Sequence, residues 1–193
     1  HSDHGREISG RVLGVLGMGA IGRALAAMAQ GGFGMKVICH TRSGTGLPPG
    51  IAHVSLERLF ADSDILALCA PLTDQTRGLV DAAALARMRA GAILVNVARG
   101  PVVVEKALIA ALASGHRVGA AIDVFDTQPL PTDHPFLSLP NVILTPHMAG
   151  ITEESMLRMG MGVVEEARRI AAGALPLHFV NPEVLPRFTA RFS

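Results

Sequence analysis

The stretch that decides the fold is Val12-Leu13-Gly14-Val15-Leu16-Gly17-Met18-Gly19-Ala20-Ile21-Gly22. It opens with a short apolar run, which is typical of a parallel strand covered on both faces. Gly17, Gly19 and Gly22 have the spacing G-x-G-x-x-G, which indicates an abrupt turn into a helix. The free N–H groups at the start of that helix, together with its dipole, attract an anion. The stretch predicts a dinucleotide site, although a β–α turn without a ligand has the same spacing.

Composition narrows the class of protein. The chain has 193 residues, of which 49% are hydrophobic and 17% are charged, and its net charge is +1. These values indicate a globular protein and give no reason to expect nucleic acid or a membrane as a partner. Cys39 and Cys69, the only cysteines, lie in apolar runs. We interpret them as reduced core thiols of a cytoplasmic protein, not as a disulfide or a metal site.

Strand-like runs alternate with helical patterns along the chain. This alternation predicts an α/β protein with a doubly wound parallel sheet, the Rossmann fold. The first helix is predicted over 20–30 with Gly31 as its stop, and one or two short helices over 73–88. A further helix is predicted from Pro101 to Ser114, closed by Gly115, and a strand from Val118.

The predicted domain organisation follows from the last helix. This long helix is expected to begin at Thr152 and to end at Gly173. Residues 1–174 are therefore expected to form one dinucleotide-binding domain, and residues 175–193 a C-terminal tail.

The end of the second strand bears on the choice of dinucleotide. An acidic residue about 20 residues after the glycines would hold the ribose 2′-hydroxyl of NAD. The chain instead reads His40-Thr41-Arg42-Ser43 there. Arg42 can pair with a 2′-phosphate, while Thr41 and Ser43 offer hydroxyl donors. We therefore predict NADP, with NAD as the alternative, although Arg42 is also compatible with a solvated loop.

Two further motifs follow predicted strands, at the edge where ligands of open parallel sheets bind. Asn96-Val97-Ala98-Arg99-Gly100 offers an arginine, whose planar fork suits a carboxylate. Thr145-Pro146-His147 offers a histidine, which is suited to proton exchange near neutral pH. A surface arginine and a packed loop histidine are the alternative interpretations.

Several motifs in one order resemble the nucleotide-binding domain of the D-isomer-specific 2-hydroxyacid dehydrogenases, including glyoxylate and hydroxypyruvate reductases. The resemblance extends from about Gly5 to Pro182. Besides the glycine stretch and the Arg99 and His147 motifs, it rests on Ala70-Pro71-Leu72-Thr73, Thr76-Arg77-Gly78, Gly119-Ala120-Ala121-Ile122-Asp123-Val124-Phe125 and Val180-Asn181-Pro182.

The resemblance implies roles for individual residues. Arg99 would bind the substrate carboxylate, His147 would act as the acid/base, and Asp123 would hold the nicotinamide carboxamide. The predicted catalytic set is Arg99, Gln128 and His147. The predicted cofactor-binding set is Gly17, Gly19, Ala20, Ile21, Gly22, Thr41, Arg42, Ser43, Pro71, Thr76, Val97, Ala98, Asp123 and Gly150. No metal is predicted.

The chain departs from the family pattern at Gln128, where most members have a glutamate bonded to the catalytic histidine. A glutamine can orient the ring, but it cannot stabilise imidazolium through a negative charge. Formate dehydrogenases of this family also have glutamine here, so formate is the alternative substrate. A non-catalytic protein that senses NAD(P) is the alternative from another class.

A second departure is that the family's substrate domain, built mainly from preceding chain, is largely absent from this sequence. We therefore expect the 193 residues to bind NADPH but to reduce 2-oxoacids poorly by themselves. The resemblance also implies a homodimer.

Overall fold

The computed structural model describes residues 5–114 and 119–192. Within them, seven strands form one parallel sheet in the order β3-β2-β1-β4-β5-β6-β7. This order, which grows outwards on both sides of β1, confirms the predicted doubly wound Rossmann fold. The strands are β1 (Val12–Leu16), β2 (Lys36–His40), β3 (Ala52–His53), β4 (Ile65–Leu68), β5 (Ile93–Asn96), β6 (Gly119–Ile122) and β7 (Val142–Leu144).

Six α-helices connect and follow these strands in the described residues. They are α1 (Ala20–Phe33), α2 (Leu56–Asp62), α3 (Ala82–Arg87), α4 (Glu105–Ala113), α5 (Glu153–Ala171) and α6 (Leu185–Phe192). The chain divides into two compact units, with the boundary between Ala149 and Gly150. The first unit contains the whole sheet and α1–α4, and the second contains α5 and α6. This boundary precedes α5, and the division after residue 174 stays a prediction.

Two apolar clusters hold the first unit together. On one face of the sheet, Ala26 and Ala29 of α1 pack with Val15 of β1. On the other face, α2, α3 and α4 bury a larger cluster that includes Leu66 and Leu94. Both clusters cover the faces of strands, so the carboxyl ends of β1, β2, β4 and β5 remain available at one edge of the sheet.

Some predicted element boundaries differ from the observed ones. The first helix continues through Gly31 to Phe33, and Gly34 ends it in the left-handed conformation, at φ 61°. Helix α4 begins at Glu105, after a separate 3-10 helix over Gly100–Val102. Of the one or two short helices predicted within 73–88, one forms, α3, and the residues before it make a turn. The predicted stop at Gly115 and the predicted strand start at Val118 lie outside the described residues.

The second unit begins at Gly150, and its first helix starts where the sequence predicts a helix. Thr152 caps α5, and its side chain and that of Ser155 form a reciprocal capping box. The chain after α5 turns at Gly173, at φ 72°. Arg169 then donates to the carbonyl oxygen of Leu175, which ties the following segment to α5.

Candidate cofactor and active site

The three glycines of the opening motif have different structural surroundings. Gly17 has φ 94°, and a Cβ atom there would lie 2.7 Å from the backbone nitrogen of Ala70. A Cβ atom at Gly22 would overlap the carbonyl oxygen of Gly17. At Gly19, by contrast, a Cβ atom would meet nothing within 4 Å among the described residues. The packing of the protein therefore requires Gly17 and Gly22, whereas Gly19 leaves open space beside the turn.

That open space lies at the start of α1. Gly19 is the N-cap, and no described side chain caps this terminus or places an acid in its first turn. The amide groups of Ala20 and Ile21 stand in this first turn, and the Ile21 side chain is exposed. Unpaired amides at a helix N-terminus suit an anion. The turn therefore fits the pyrophosphate of a dinucleotide.

Two neighbouring cavities lie at the carboxyl ends of the strands. The first, of about 330 Å³, spans the ends of β1, β2 and β4. The second, of about 400 Å³, spans the ends of β4 and β5. They share Cys69, Ala70 and Pro71. Predicted site residues in the first are Gly17, Gly19, Thr41, Arg42, Pro71 and Thr76, and in the second Ile21, Pro71, Val97, Ala98 and Arg99.

The first cavity ends at the loop after β2. Thr41 and Arg42 line it, whereas Ser43 is exposed and does not. No aspartate or glutamate is among the described residues that line this cavity. A phosphate group at this end therefore meets a guanidinium and a hydroxyl and no lining carboxylate.

Sequence reasoning missed part of the cavity wall. Leu56 and Leu79 line the first cavity with Cys69, which packs partly buried against the core. Burial raises the pKa of the Cys69 thiol to about 11, so it remains protonated and neutral near pH 7. These residues offer an apolar wall for a flat ring such as adenine. They belong to separate elements with no common spacing, so no sequence signal groups them.

The turn before α3 is fixed by a threonine. Thr76 Oγ1 donates to the carbonyl oxygen of Pro71 at 2.7 Å and accepts from the amide of Thr73 at 2.8 Å. Because Pro71 lines both cavities, this bond holds the wall that they share. These hydrogen bonds give Thr76 of the Thr76-Arg77-Gly78 motif a structural role.

The loop after β5 is held by a buried asparagine. Asn96 Oδ1 accepts from the amide of Ala98, and Asn96 Nδ2 donates to the carbonyl oxygen of Arg99, both at 3.1 Å. The exposed Arg99 side chain lines the second cavity, where its Nη1 donates to the carbonyl oxygen of Ala98 at 2.6 Å. The guanidinium retains further N–H donors for a bound carboxylate.

His147 and Gln128 are brought together from separate loops. His147 Nδ1 lies 3.0 Å from Gln128 Oε1, and Gln128 Nε2 donates to the carbonyl oxygen of Phe125 at 3.4 Å. The second bond fixes the amide, so its oxygen accepts a hydrogen bond from the Nδ1–H group. His147 Nε2 is then the ring nitrogen that is available for proton exchange. His147 also has φ 57°, an uncommon value for a residue other than glycine.

Asp123 holds the segment that carries this histidine. Its buried carboxylate accepts from the Thr145 hydroxyl, from the amide of Met148 at 2.7 Å and from the amide of Ala149 at 3.0 Å. Burial disfavours the charge, yet the bonds from Thr145, Ala149 and Met148, aided by the nearby His147, hold the pKa of Asp123 below its usual range. The carboxylate thereby fixes both sides of His147.

His134 pairs with Glu105 at 3.0 Å and lines neither cavity. Within the described ranges, no group of three or more histidine, cysteine or acidic residues is placed to hold a metal ion. Every helix in the described part of the chain is too short or too polar to span a membrane. Gly150 begins the second unit, so its contact with a cofactor remains a prediction.

Several known proteins are similar to this chain over most of its length. The family described as D-isomer specific 2-hydroxyacid dehydrogenase, NAD binding domain, matches residues 1–149. A glyoxylate reductase of Aeropyrum pernix is 43% identical over 94% of this chain and 55% of its own length. A glyoxylate/hydroxypyruvate reductase B of Yersinia pestis is 40% identical over 94% of this chain and 56% of its own length.

A solved structure agrees with these matches. The D-isomer specific 2-hydroxyacid dehydrogenase of Xanthobacter autotrophicus, in complex with NADPH and MES, is similar with a TM-score of 0.80 and 40% identity. The match covers 95% of this chain and 76% of that one. The chain itself spans about half the length of the curated relatives that it matches. By its glycine turn, its sheet order and these matches, the chain belongs to the D-isomer specific 2-hydroxyacid dehydrogenase family of oxidoreductases, and matches its NAD-binding domain.

Proposed function

We propose that this chain is the nucleotide-binding part of an NADPH-preferring dehydrogenase that reduces small 2-oxoacids of the glyoxylate and hydroxypyruvate class. The observation that carries the proposal is the hydrogen bond of 3.0 Å between His147 Nδ1 and Gln128 Oε1, which leaves Nε2 as the proton-exchanging nitrogen. Binding of a nucleotide requires no oriented histidine, whereas reduction of a carbonyl requires a proton donor. The pair therefore favours an enzyme over a sensor.

The proposed cofactor contacts combine residues at the two cavities with Asp123, which lines neither of them. The amides of Ala20 and Ile21 would hold the pyrophosphate, and Arg42 with Thr41 would hold a 2′-phosphate. Asp123 would accept a bond from the carboxamide, since its Oδ2 takes only the Ala149 amide among the contacts above. Bound NADPH supplies a hydride.

The chain's own residues divide the remaining work. Arg99 binds the carboxylate of the 2-oxoacid and places its carbonyl group for reduction. His147 Nε2 donates a proton to the carbonyl oxygen as it becomes a hydroxyl. Gln128 keeps the ring oriented throughout, because its own amide is tied to the carbonyl oxygen of Phe125.

A substrate panel tests this function. We expect the longest natural form of the chain to oxidise NADPH in the presence of glyoxylate or hydroxypyruvate, followed by absorbance at 340 nm. Formate with NADP serves as the reverse arm, since glutamine at position 128 also fits a formate dehydrogenase. Turnover of formate alone would replace the proposed substrate class, and tight NADPH binding without turnover of any substrate would favour the sensor.

The 193 residues by themselves are proposed to bind NADPH but to reduce 2-oxoacids poorly, because relatives extend to nearly twice this length. Robust turnover by the verified 193-residue chain would contradict this proposal.

A homodimer is proposed as well. Exposed Met28 and Phe33 on α1 supply apolar surface that could take part in a subunit interface.

A further inference from the structure

A histidine pair behind the loop after β2 has no part in the proposed reaction. His53 lies on β3, the edge strand, opposite Cys39 of β2. Its ring stacks on that of His40, with centroids 5.3 Å apart and planes 23° apart. His40 Nδ1 in turn bonds to the carbonyl oxygen of Val54 at 2.9 Å. Both rings are therefore fixed against the end of β2.

The His53 ring contacts the backbone of the residue that begins the 2′-phosphate loop. His53 Nε2 lies 3.0 Å from the carbonyl oxygen of Thr41 and 3.4 Å from its amide nitrogen. Because one ring nitrogen cannot donate to the carbonyl and accept from the amide at once, the shorter distance assigns Nε2 as a donor to the carbonyl oxygen of Thr41. Thr41 and Arg42 line the first cavity, so a bond that fixes Thr41 also sets where the chain leaves for Arg42.

The backbone of the loop after β2 passes close to the His53 ring. Gly44 has φ 63°, and a Cβ atom there would lie only 3.1 Å from His53 Cε1. The glycine therefore allows the loop backbone to pass close over the imidazole. Farther along, Arg23 donates to the carbonyl oxygen of Gly46 at 2.7 Å. The loop is held at both ends, by His53 at Thr41 and by α1 at Gly46.

We propose that His53 is a positioning residue for the 2′-phosphate of NADP, acting through the backbone of Thr41 on Thr41 and Arg42. The inference rests on the proposed preference for NADP and adds a residue that reaches no ligand atom itself. It assigns to the edge strand a part in cofactor selection. Glutamine at position 53 can replace the donor at Nε2, whereas alanine cannot.

Binding of two adenosine compounds to the 193-residue chain tests the inference without any need for turnover. The probes are adenosine 2′,5′-bisphosphate and adenosine 5′-monophosphate, measured by calorimetry. We expect His53→Ala to raise the Kd of the bisphosphate about 3- to 10-fold, the effect of one lost hydrogen bond. The Kd of the monophosphate should not change, and His53→Gln should restore most of the affinity.

The controls separate the possible failures. His178→Ala, at an exposed position, should leave both Kd values unchanged. Equal weakening of both probes by His53→Ala, or no weakening of either, would overturn the positioning role while the cofactor preference stands. If the wild-type chain binds the bisphosphate no more tightly than the monophosphate, the proposed NADP preference is itself wrong and the inference falls with it.

Discussion

His147→Asn is expected to lower kcat for 2-oxoacid reduction by about 10²- to 10⁴-fold, the range for loss of a general acid. Asparagine suits this position because it tolerates the left-handed backbone, here at φ 57°. The bonds from Thr145, Met148 and Ala149 to Asp123 do not involve the His147 side chain and should persist. The Kd for NADPH should therefore change little.

The measurement is steady-state NADPH oxidation with glyoxylate in the longest natural form of the chain. His178→Asn is the matched control, since it makes the same replacement at an exposed histidine. Retention of wild-type kcat in His147→Asn would remove His147 from the reaction. A fall in NADPH affinity as large as the fall in kcat would instead indicate damage to the cofactor site.

Replacement of Gln128, the hydrogen-bond partner of His147, tests the same role through the pH dependence of the reduction rate. Gln128 Oε1 is 3.0 Å from His147 Nδ1, so Gln128→Glu places a negative charge beside the ring and stabilises imidazolium. Reduction requires the protonated ring, and its rate falls as pH rises and the proton is lost. The variant should therefore keep its rate to higher pH, with the basic limb of the profile displaced by about one pH unit. An unmoved pH–rate profile would contradict this coupling.

Gly17→Ala is expected to destabilise the protein by about 3–5 kcal/mol, a large part of the stability of an ordinary domain. Alanine at φ 94° is strained, and its Cβ atom would lie 2.7 Å from the backbone of Ala70. Backbone atoms of a buried strand end cannot move aside as a flexible side chain can. Urea unfolding followed by circular dichroism measures the loss.

Gly19→Ala is the matched variant on the same turn. Its Cβ atom would meet no described residue within 4 Å, and the N-cap φ of −76° is open to alanine. We expect a loss of stability below about 1 kcal/mol, together with clearly weaker NADPH binding because the methyl group occupies the pyrophosphate space. Similar unfolding midpoints for the two variants would contradict the division between packing and ligand space. Unchanged NADPH affinity in Gly19→Ala would contradict the position of the pyrophosphate.

The sequence predicted the sheet because its signals are local. A glycine turn between an apolar run and a helix needs no distant partner, and repeated β–α patterns then require a parallel sheet. The same locality explains the wrong helix stop at Gly31. A glycine inside a helix costs only about 1 kcal/mol relative to alanine, too little to end α1 at Gly31, whereas Gly34 has the left-handed φ that ends the helix.

Contacts between residues far apart in the sequence are harder to predict from local patterns. The motif around Arg99 was visible, but the buried Asn96 that shapes its loop acts through two hydrogen bonds that only the folded chain displays. No sequence motif marks His53, and its contact with Thr41 depends on the pairing of β3 with β2. The catalytic and cofactor roles of the site residues therefore remain proposals.

The most direct measurement of the central claim is fluorescence titration of the 193-residue chain with NADPH and with NADH. We expect wild type to bind NADPH about 10- to 100-fold more tightly than NADH, because the 2′-phosphate makes a charge-assisted bond. Arg42→Leu should lose most of this preference for NADPH without any loss of affinity for NADH. Arg58→Leu, at an exposed arginine of α2, should retain the preference. Equal affinity for the two cofactors in wild type, or tighter binding of NADH, would contradict the account.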